Sequence, residues 1–139
     1  MNREISLISE MAVQTADTAE TIRRRYSGTC VETESGTVLH YTDAENGTPV
    51  TLRLLPDGAA IERDTTMGGT LRLTIAHETP LVYTMPEGRF RLSVETQGYE
   101  AVTNERGGRL FAHYRIKSHN ETVSENFLRL TWLYTHHQD

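Results

Sequence analysis

Arg63 is the residue whose chemistry stands out most in this sequence. It follows Ala59 and Ile61 at every second position, which places all three on one face of a predicted strand. If that face is interior, the guanidinium must meet a carboxylate, carbonyl oxygens, water or a bound anion, because an unpaired buried charge is costly. The functional interpretation is an anchor for the acidic head group of a small molecule. The structural alternative is an ion pair with one of three carboxylates: Glu32, Glu34 or Glu95.

Other reactive side chains are scattered along the chain. Cys30, the only cysteine, has no evident histidine partner that would activate it as a nucleophile. The histidines form no His-x-His or Glu-x-x-His pattern, and the adjacent His136 and His137 lack the further ligands that a structural metal site needs. Gly68-Gly69 and Gly107-Gly108 are typical of hairpins, not of phosphate-binding loops. The sequence therefore predicts a protein that is not an enzyme and uses no cofactor or metal.

The basic run Arg23-Arg24-Arg25 is the one feature that suggests nucleic acid. On a strand, alternation divides it, because Arg23 and Arg25 share one face and Arg24 lies on the other. Single-strand binders combine a basic groove with stacking aromatics, and here only Tyr26 is adjacent. The formal net charge of −5 also disfavours a phosphate-coating protein. We predict no nucleic-acid partner.

The composition indicates a cytoplasmic address. The N-terminal residues contain no apolar segment of signal-peptide length, and no run approaches the ~20 apolar residues that span a bilayer. With Cys30 as its only cysteine, the chain cannot form an internal disulfide, in agreement with a reducing compartment. The 139 residues fit a single domain over residues 1–139, with no linker or low-complexity tract. We therefore predict a protein of the cytoplasm that has no membrane partner.

The elements that must position these residues are strands. The clearest case follows the turn Pro86-Glu87-Gly88, where alternation places Phe90, Leu92, Val94 and Thr96 on one, buried, face. Comparable alternation recurs along the chain between short turns. Ala16–Arg25 is weaker as a helix than as a turn leading into a strand, because it is rich in threonine and β-branched residues. The predicted strands are 4–15, 20–34, 37–43, 50–54, 59–63, 71–75, 80–85, 89–102 with a bulge at Gly98, 110–116 and 123–135.

These strands predict an all-β fold made of one antiparallel meander. An open sheet of about ten strands would leave two long exposed edges, which is an aggregation hazard. Closure removes those edges, so the first choice is an up-and-down β-barrel of about 8–10 strands, with a folded sandwich as the alternative.

The order and spacing of several short motifs resemble those of the YwiB-like family, bacterial cytosolic proteins classed as a domain of unknown function. The resemblance covers essentially the whole chain, and the N-terminal half matches least well. It implies a lipocalin-like (calycin) β-barrel with no established activity. The motifs are Leu39-His-Tyr41, Ile61-Glu-Arg63, Gly68-Gly69, Tyr83-Thr-Met-Pro-Glu-Gly88-x-Phe90, Val94-x-Thr96 and Gly107-Gly-Arg-Leu-x-Ala-x-Tyr114.

The resemblance also draws attention to three tyrosines, Tyr41, Tyr83 and Tyr114. With Arg63 they form the predicted ligand site, since small-molecule sites are mostly apolar with a few convergent polar groups. As core residues, the same tyrosines would only need a partner for each hydroxyl. The leading hypothesis is a binder of a small amphipathic or acidic molecule inside the barrel. The alternative is a protein-interaction module with a filled interior that docks a partner or forms a homodimer.

The amount of side-chain bulk inside the barrel distinguishes the two hypotheses. A binder needs a cavity of about 300 Å³ or more. An interior packed by Phe90, Leu92, Leu130 and Trp132 would leave no such room.

Overall fold

The computed structural model describes residues 2–34, 36–43, 47–55, 57–63, 70–75, 77–85 and 87–135, with the backbone alone for residues 43, 63 and 83–85. All secondary structure in these ranges is β, as the alternating pattern predicts. The ten strands are β1 (Asn2–Gln14), β2 (Ala19–Thr33), β3 (Gly36–Asp43), β4 (Thr48–Leu55), β5 (Gly58–Arg63), β6 (Thr70–Thr74), β7 (Thr79–Met85), β8 (Gly88–Asn104), β9 (Gly107–Ser118) and β10 (Glu121–Tyr134).

The strands form one antiparallel sheet with the order β6-β5-β4-β3-β2-β1-β10-β9-β8-β7. Every chain neighbour is also a sheet neighbour except at β6–β7, and the first and last strands pair with each other. The sheet curls until β6 lies beside β7, where the Thr79 hydroxyl donates a hydrogen bond to the Arg72 carbonyl at 2.8 Å. The result is a nearly closed barrel with its seam where β6 lies against β7 and β8. The prediction of a closed all-β meander is confirmed.

Two local predictions are also confirmed. The register between β8 and β9 shifts between Thr96 and Gly98, which is the bulge expected there. The β9–β10 hairpin turns at His119 and Asn120, whose φ angles of 52° and 66° match the type I′ turn that suits strand twist. The stretch Ala16–Arg25 belongs to a turn and to β2, not to a helix. Four features of the predicted pattern fall outside the described residues: Asn46, which with Gly47 forms a dipeptide typical of hairpin turns, Gly68-Gly69, Pro86 and the adjacent His136 and His137.

Gly88 supports a first prediction about stability. Its φ is 137°, a conformation that side chains with a Cβ rarely adopt, and no atom lies within 4 Å of where a Cβ would stand. Gly88→Val should therefore lower the free energy of unfolding by about 1–3 kcal/mol through backbone strain alone. Chemical denaturation measures this difference. Gly98→Val is the matched control, because Gly98 has equal space without the positive φ, and equal losses in both variants would contradict the explanation.

The interior is filled toward one end of the barrel. This lower end carries the β2–β3, β4–β5 and β8–β9 turns, together with the start of β1 and the end of β10. Its inward-facing side chains come from all parts of the chain, so the core is one continuous cluster. Fully buried members include Trp132, Ile5, Leu7, Leu39, Leu52, Leu73, Leu110, Leu130, Val50, Val94 and Cys30.

One residue expected on the buried side is exposed. Phe90 keeps 47% of its surface accessible, so its predicted burial is wrong. Phe90 lies near the start of β8. Alternation determines the side of a strand to which a residue points. It does not determine whether neighbouring strands extend far enough to cover that residue.

Candidate functional site

The opposite, upper end of the barrel is lined differently from the lower end. Here the inward-facing apolar residues pack against the core and are only partly buried. Met11, Tyr41, Leu71 and Ile116 lie within three residues of the hairpins that join β1–β2, β3–β4, β5–β6 and β9–β10, whereas Leu92 and Tyr26 lie farther along β8 and β2. We call this set the half-buried ring: Met11, Tyr26, Tyr41, Leu71, Leu92 and Ile116.

Tyr41 is one of the sequence-predicted site residues, and the ring includes it. Its ring centroid lies 5.0 Å from that of Tyr26, with the planes tilted by 35°. Gly28 lies opposite Tyr41 in the β2–β3 register. A Cβ at Gly28 would collide with the His40 carbonyl oxygen and lie 3.0 Å from the Tyr41 Cβ. The absence of a side chain at Gly28 therefore lets β2 approach β3 closely beside the tyrosine pair.

Tyr114, a second predicted site residue, is buried in the wall below the ring. Only 2% of its surface is exposed, and its hydroxyl lies 3.9 Å from the Met11 Sδ atom. It is paired with Thr96 on one side and with Asn126 on the other. This row is polar, because the Asn126 amide donates to the Tyr114 carbonyl at 3.4 Å and to the Ser124 hydroxyl at 3.0 Å. Thr96 Oγ1 is buried without a hydrogen-bond partner in the part of the chain that the structure describes.

The other two predicted residues are located by their backbone pairing. Arg63 is paired with Val50, which is paired in turn with Tyr41. Arg63 and Tyr41 therefore share one cross-strand row, two strands apart. Tyr83 is paired with Phe90 in the β7–β8 hairpin, away from that row. The side chains of Arg63 and Tyr83 lie outside the described residues, so their place in the site stays a prediction.

Two of the carboxylates considered as partners for Arg63 have other contacts. Glu32 accepts a hydrogen bond from the Tyr134 hydroxyl at 3.3 Å, at the lower end of the barrel.

Burial, together with the nearby Cys30 and Glu32, raises the pKa of Tyr134 to about 12. Burial also raises the pKa of the Cys30 thiol. A buried thiol with a raised pKa is a poor nucleophile, and Cys30 is best explained as a core residue.

Glu95, the second of these two carboxylates, belongs to an outer charge network on β8, β9 and β10. Lys117 Nζ lies 3.0 Å from a Glu78 oxygen and 3.3 Å from a Glu95 oxygen. Arg115 bridges Glu95 at 3.7 Å and Glu125 at 3.5 Å. His113 Nε2 lies 2.7 Å from the Glu125 carboxylate, and this hydrogen bond, helped by Arg115, holds the pKa of Glu125 below its ordinary range. Sequence reasoning missed this network, because cross-strand pairs depend on a register that the sequence does not display.

The described residues include no group of three or more metal-ligating side chains. They also include no helix with the length and apolar character to cross a membrane. The run Arg23-Arg24-Arg25 lies on β2 with all three side chains exposed. A groove of about 420 Å³ lies on the outer surface and is lined by Glu100, Arg109, Leu110, Phe111, Arg129 and Thr131.

Comparisons with known proteins support the fold and the family. The chain aligns with the crystal structure of the ywiB protein from Bacillus subtilis at a TM-score of 0.84, over 97% of this chain and 94% of that one. The identity is 15%, so this likeness concerns the fold alone. A comparison with curated proteins finds no match. The model of the family described as Domain of unknown function (DUF1934) matches residues 5–130. These results confirm the resemblance read from the sequence motifs, and the chain belongs to the DUF1934 family, with a YwiB-like fold.

Proposed function

We propose that this protein is a non-enzymatic binder of a small amphipathic or acidic molecule, in keeping with the cytoplasmic address that its sequence predicts. The half-buried ring at the upper end of the barrel carries the proposal. The ring leaves apolar and aromatic surface accessible on the inward side of the strands, whereas many inward-facing residues below it are fully buried. In this proposal the ring lines a cup, and residues such as Leu52 and Leu130 fill the interior below it.

The chemistry of the cup suits a ligand with an apolar body and a polar end. Tyr26, Tyr41 and Met11 offer aromatic and thioether surface that adapts to irregular apolar groups. On the β8–β10 wall, the Thr96 hydroxyl is buried without a partner among the described residues, so a ligand that displaced the side chains covering it would satisfy its hydrogen bond. Binding sites commonly combine such apolar surface with a few polar groups.

Arg63 supplies the cation in this proposal. Its row contains Tyr41 and Val50, both inward-facing residues that belong to or pack against the core. A guanidinium forms paired hydrogen bonds with carboxylate and phosphate groups, which favours an acidic head group over a neutral one. A ligand bound here would place its apolar part against the tyrosine pair.

A thermal-shift screen of fatty acids, nucleotides and organic acids tests the proposal. Wild-type protein should gain stability from at least one acidic compound, by about 2.7 kcal/mol when the ligand is at one hundred times its Kd. Arg63→Met should lose this gain while keeping most of its stability without ligand. Arg53→Met is the matched control: Arg53 lies on neighbouring β4, exposed and 3.7 Å from Glu62, so its loss should leave the ligand response intact.

Two results would count against the binder. One is a bare mass in native mass spectrometry of protein purified gently from its own cells, together with no response to any compound in the screen. The other is severe destabilisation of Arg63→Met, since breaking a buried ion pair typically costs about 3–5 kcal/mol. That second result would favour the structural role of Arg63 and the alternative of a protein-interaction module.

A further inference from the structure

The last five residues of β8, Glu100–Asn104, form a free strand edge. Strand β7 pairs with β8 only from Gly88 to Val94. Beyond that point, the residues up to Asn104 pair with β9 on one side, and no other described strand is hydrogen-bonded to them on the other. Each residue from Glu100 to Asn104 is exposed. A row of backbone N–H and C=O groups is therefore available to another strand.

Lysine and proline, two of the devices that protect edge strands, are absent from this edge. Proteins block such edges with lysine, proline or very short strands. The free segment is Glu100-Ala-Val-Thr-Asn104, which contains no lysine or proline and carries two β-branched residues. Val102, at its centre, exposes 40% of its surface. Both the backbone and the central side chain thus favour strand addition.

We propose that a second copy of this chain adds to this edge, pairing β8 with β8 of the other copy in antiparallel orientation across a two-fold axis. In an antiparallel pair, residues directly opposite each other point to the same face of the sheet. The two-fold axis must therefore pass between one residue and the same residue of the second copy. A two-fold axis beside Glu100 would place the Glu100 carboxylates of the two copies opposite each other. An axis beside Ala101 would place Val102 of one copy opposite Glu100 of the other. An axis at Val102 pairs the two valines and removes both from water.

Charge complementarity supports the same register. With the axis at Val102, Glu100 of each copy lies opposite Asn104 of the other. Asn104 begins the β8–β9 hairpin, where its side-chain oxygen accepts a hydrogen bond from the Arg106 backbone N–H at 2.8 Å. The exposed Arg106 of this hairpin thus comes near Glu100 of the second copy. By symmetry, Arg106 of the second copy comes near Glu100 of the first. The edge is therefore complementary in charge to a second copy of itself.

The free segment is short, so the interface is small and the dimer should be reversible. Sedimentation velocity across a wide concentration range should show a monomer–dimer equilibrium for the wild type. Val102→Lys places two cations opposite each other at the axis and should raise the dimer Kd at least tenfold. Val123→Lys is the matched control, because Val123 is an equally exposed valine on β10, away from this edge, and its Kd should stay at the wild-type value.

A cysteine trap tests the register directly. Paired Cα atoms at the axis would lie about 4.5–5.5 Å apart, within disulfide range. Val102→Cys should therefore form a covalent dimer with oxidised glutathione as oxidant, joined at residue 102, much faster than Val123→Cys. Native Cys30 is buried and does not interfere. The proposal would be overturned if the wild type stayed monomeric at every concentration, or if the cysteines at positions 102 and 123 formed covalent dimers equally fast. The cysteine experiment gives this answer even if Val102→Lys fails to fold.

Discussion

Replacing Trp132 with alanine is expected to lower the free energy of unfolding by about 3–5 kcal/mol. The Trp132 side chain is fully buried among the inward-facing residues at the lower end of the barrel. It lies between Leu7 on β1 and Gly108 on β9, so its removal would leave a cavity bounded by three strands. Urea denaturation measures the loss. Leu133→Ala is the control on the same strand, where 55% exposure limits the expected effect to well under 1 kcal/mol.

A second substitution separates the volume of Trp132 from its polar group. Trp132 Nε1 is buried without a partner among the described residues. Phenylalanine retains an aromatic ring and removes this unpaired donor, so Trp132→Phe should cost much less than Trp132→Ala. Equal losses in the two variants would show that the indole N–H has a partner whose loss dominates, and the cavity explanation would be wrong.

Replacing Gly107 with alanine is expected to cost roughly 3 kcal/mol or more, an unusually large effect for one added methyl group. Gly107 has a φ of 150° at the start of β9. A Cβ there would collide with the Trp132 carbonyl oxygen and approach the Trp132 carbonyl carbon to 2.8 Å and the Leu133 Cα to 3.0 Å. These are backbone atoms of the paired strand, which cannot move aside without breaking the β9–β10 register.

Gly88→Ala separates the two causes of this loss of stability, backbone strain and steric collision. Gly88 has a similarly positive φ but open space around the Cβ position. Its alanine variant therefore carries the strain without the collision, and the difference between the two variants measures the collision. Thermal and urea unfolding of both proteins provide the comparison. If Gly107→Ala were no worse than Gly88→Ala, the close approach of β9 to β10 would not exist as described.

The fold class and most of the strands follow from the sequence alone. Period-two alternation in segments such as Val50–Leu54, with glycine and asparagine turns between them, requires strands that have one apolar face. Closing the sheet into a barrel avoids long exposed strand edges, and the structure confirms a nearly closed meander. The bulge at Gly98 and the positive φ of Gly88 were also predictable, because each follows from local backbone chemistry.

The candidate site was predictable only in part. Tyr41 lies in the half-buried ring and Tyr114 in the wall beneath it, and their role in ligand binding stays a prediction. Tyr26, Met11 and Thr96 were missed, because their shared location depends on how five strands align around the barrel. Alternation marks a residue as inward-facing without indicating its height along the barrel axis. Height decides whether an inward residue fills the floor or lines the cup.

Only the tertiary structure decided which inward positions are covered and which edge is free. Phe90 and Leu130 both lie on apolar faces of strands, yet Phe90 is exposed at a strand end and Leu130 is buried in the middle. Likewise, β8 continues ten residues past the point where β7 stops pairing with it. Both facts arise from the lengths and stagger of strands far apart in sequence. Local propensity acts within one strand, whereas burial and edge pairing depend on the strands beside it.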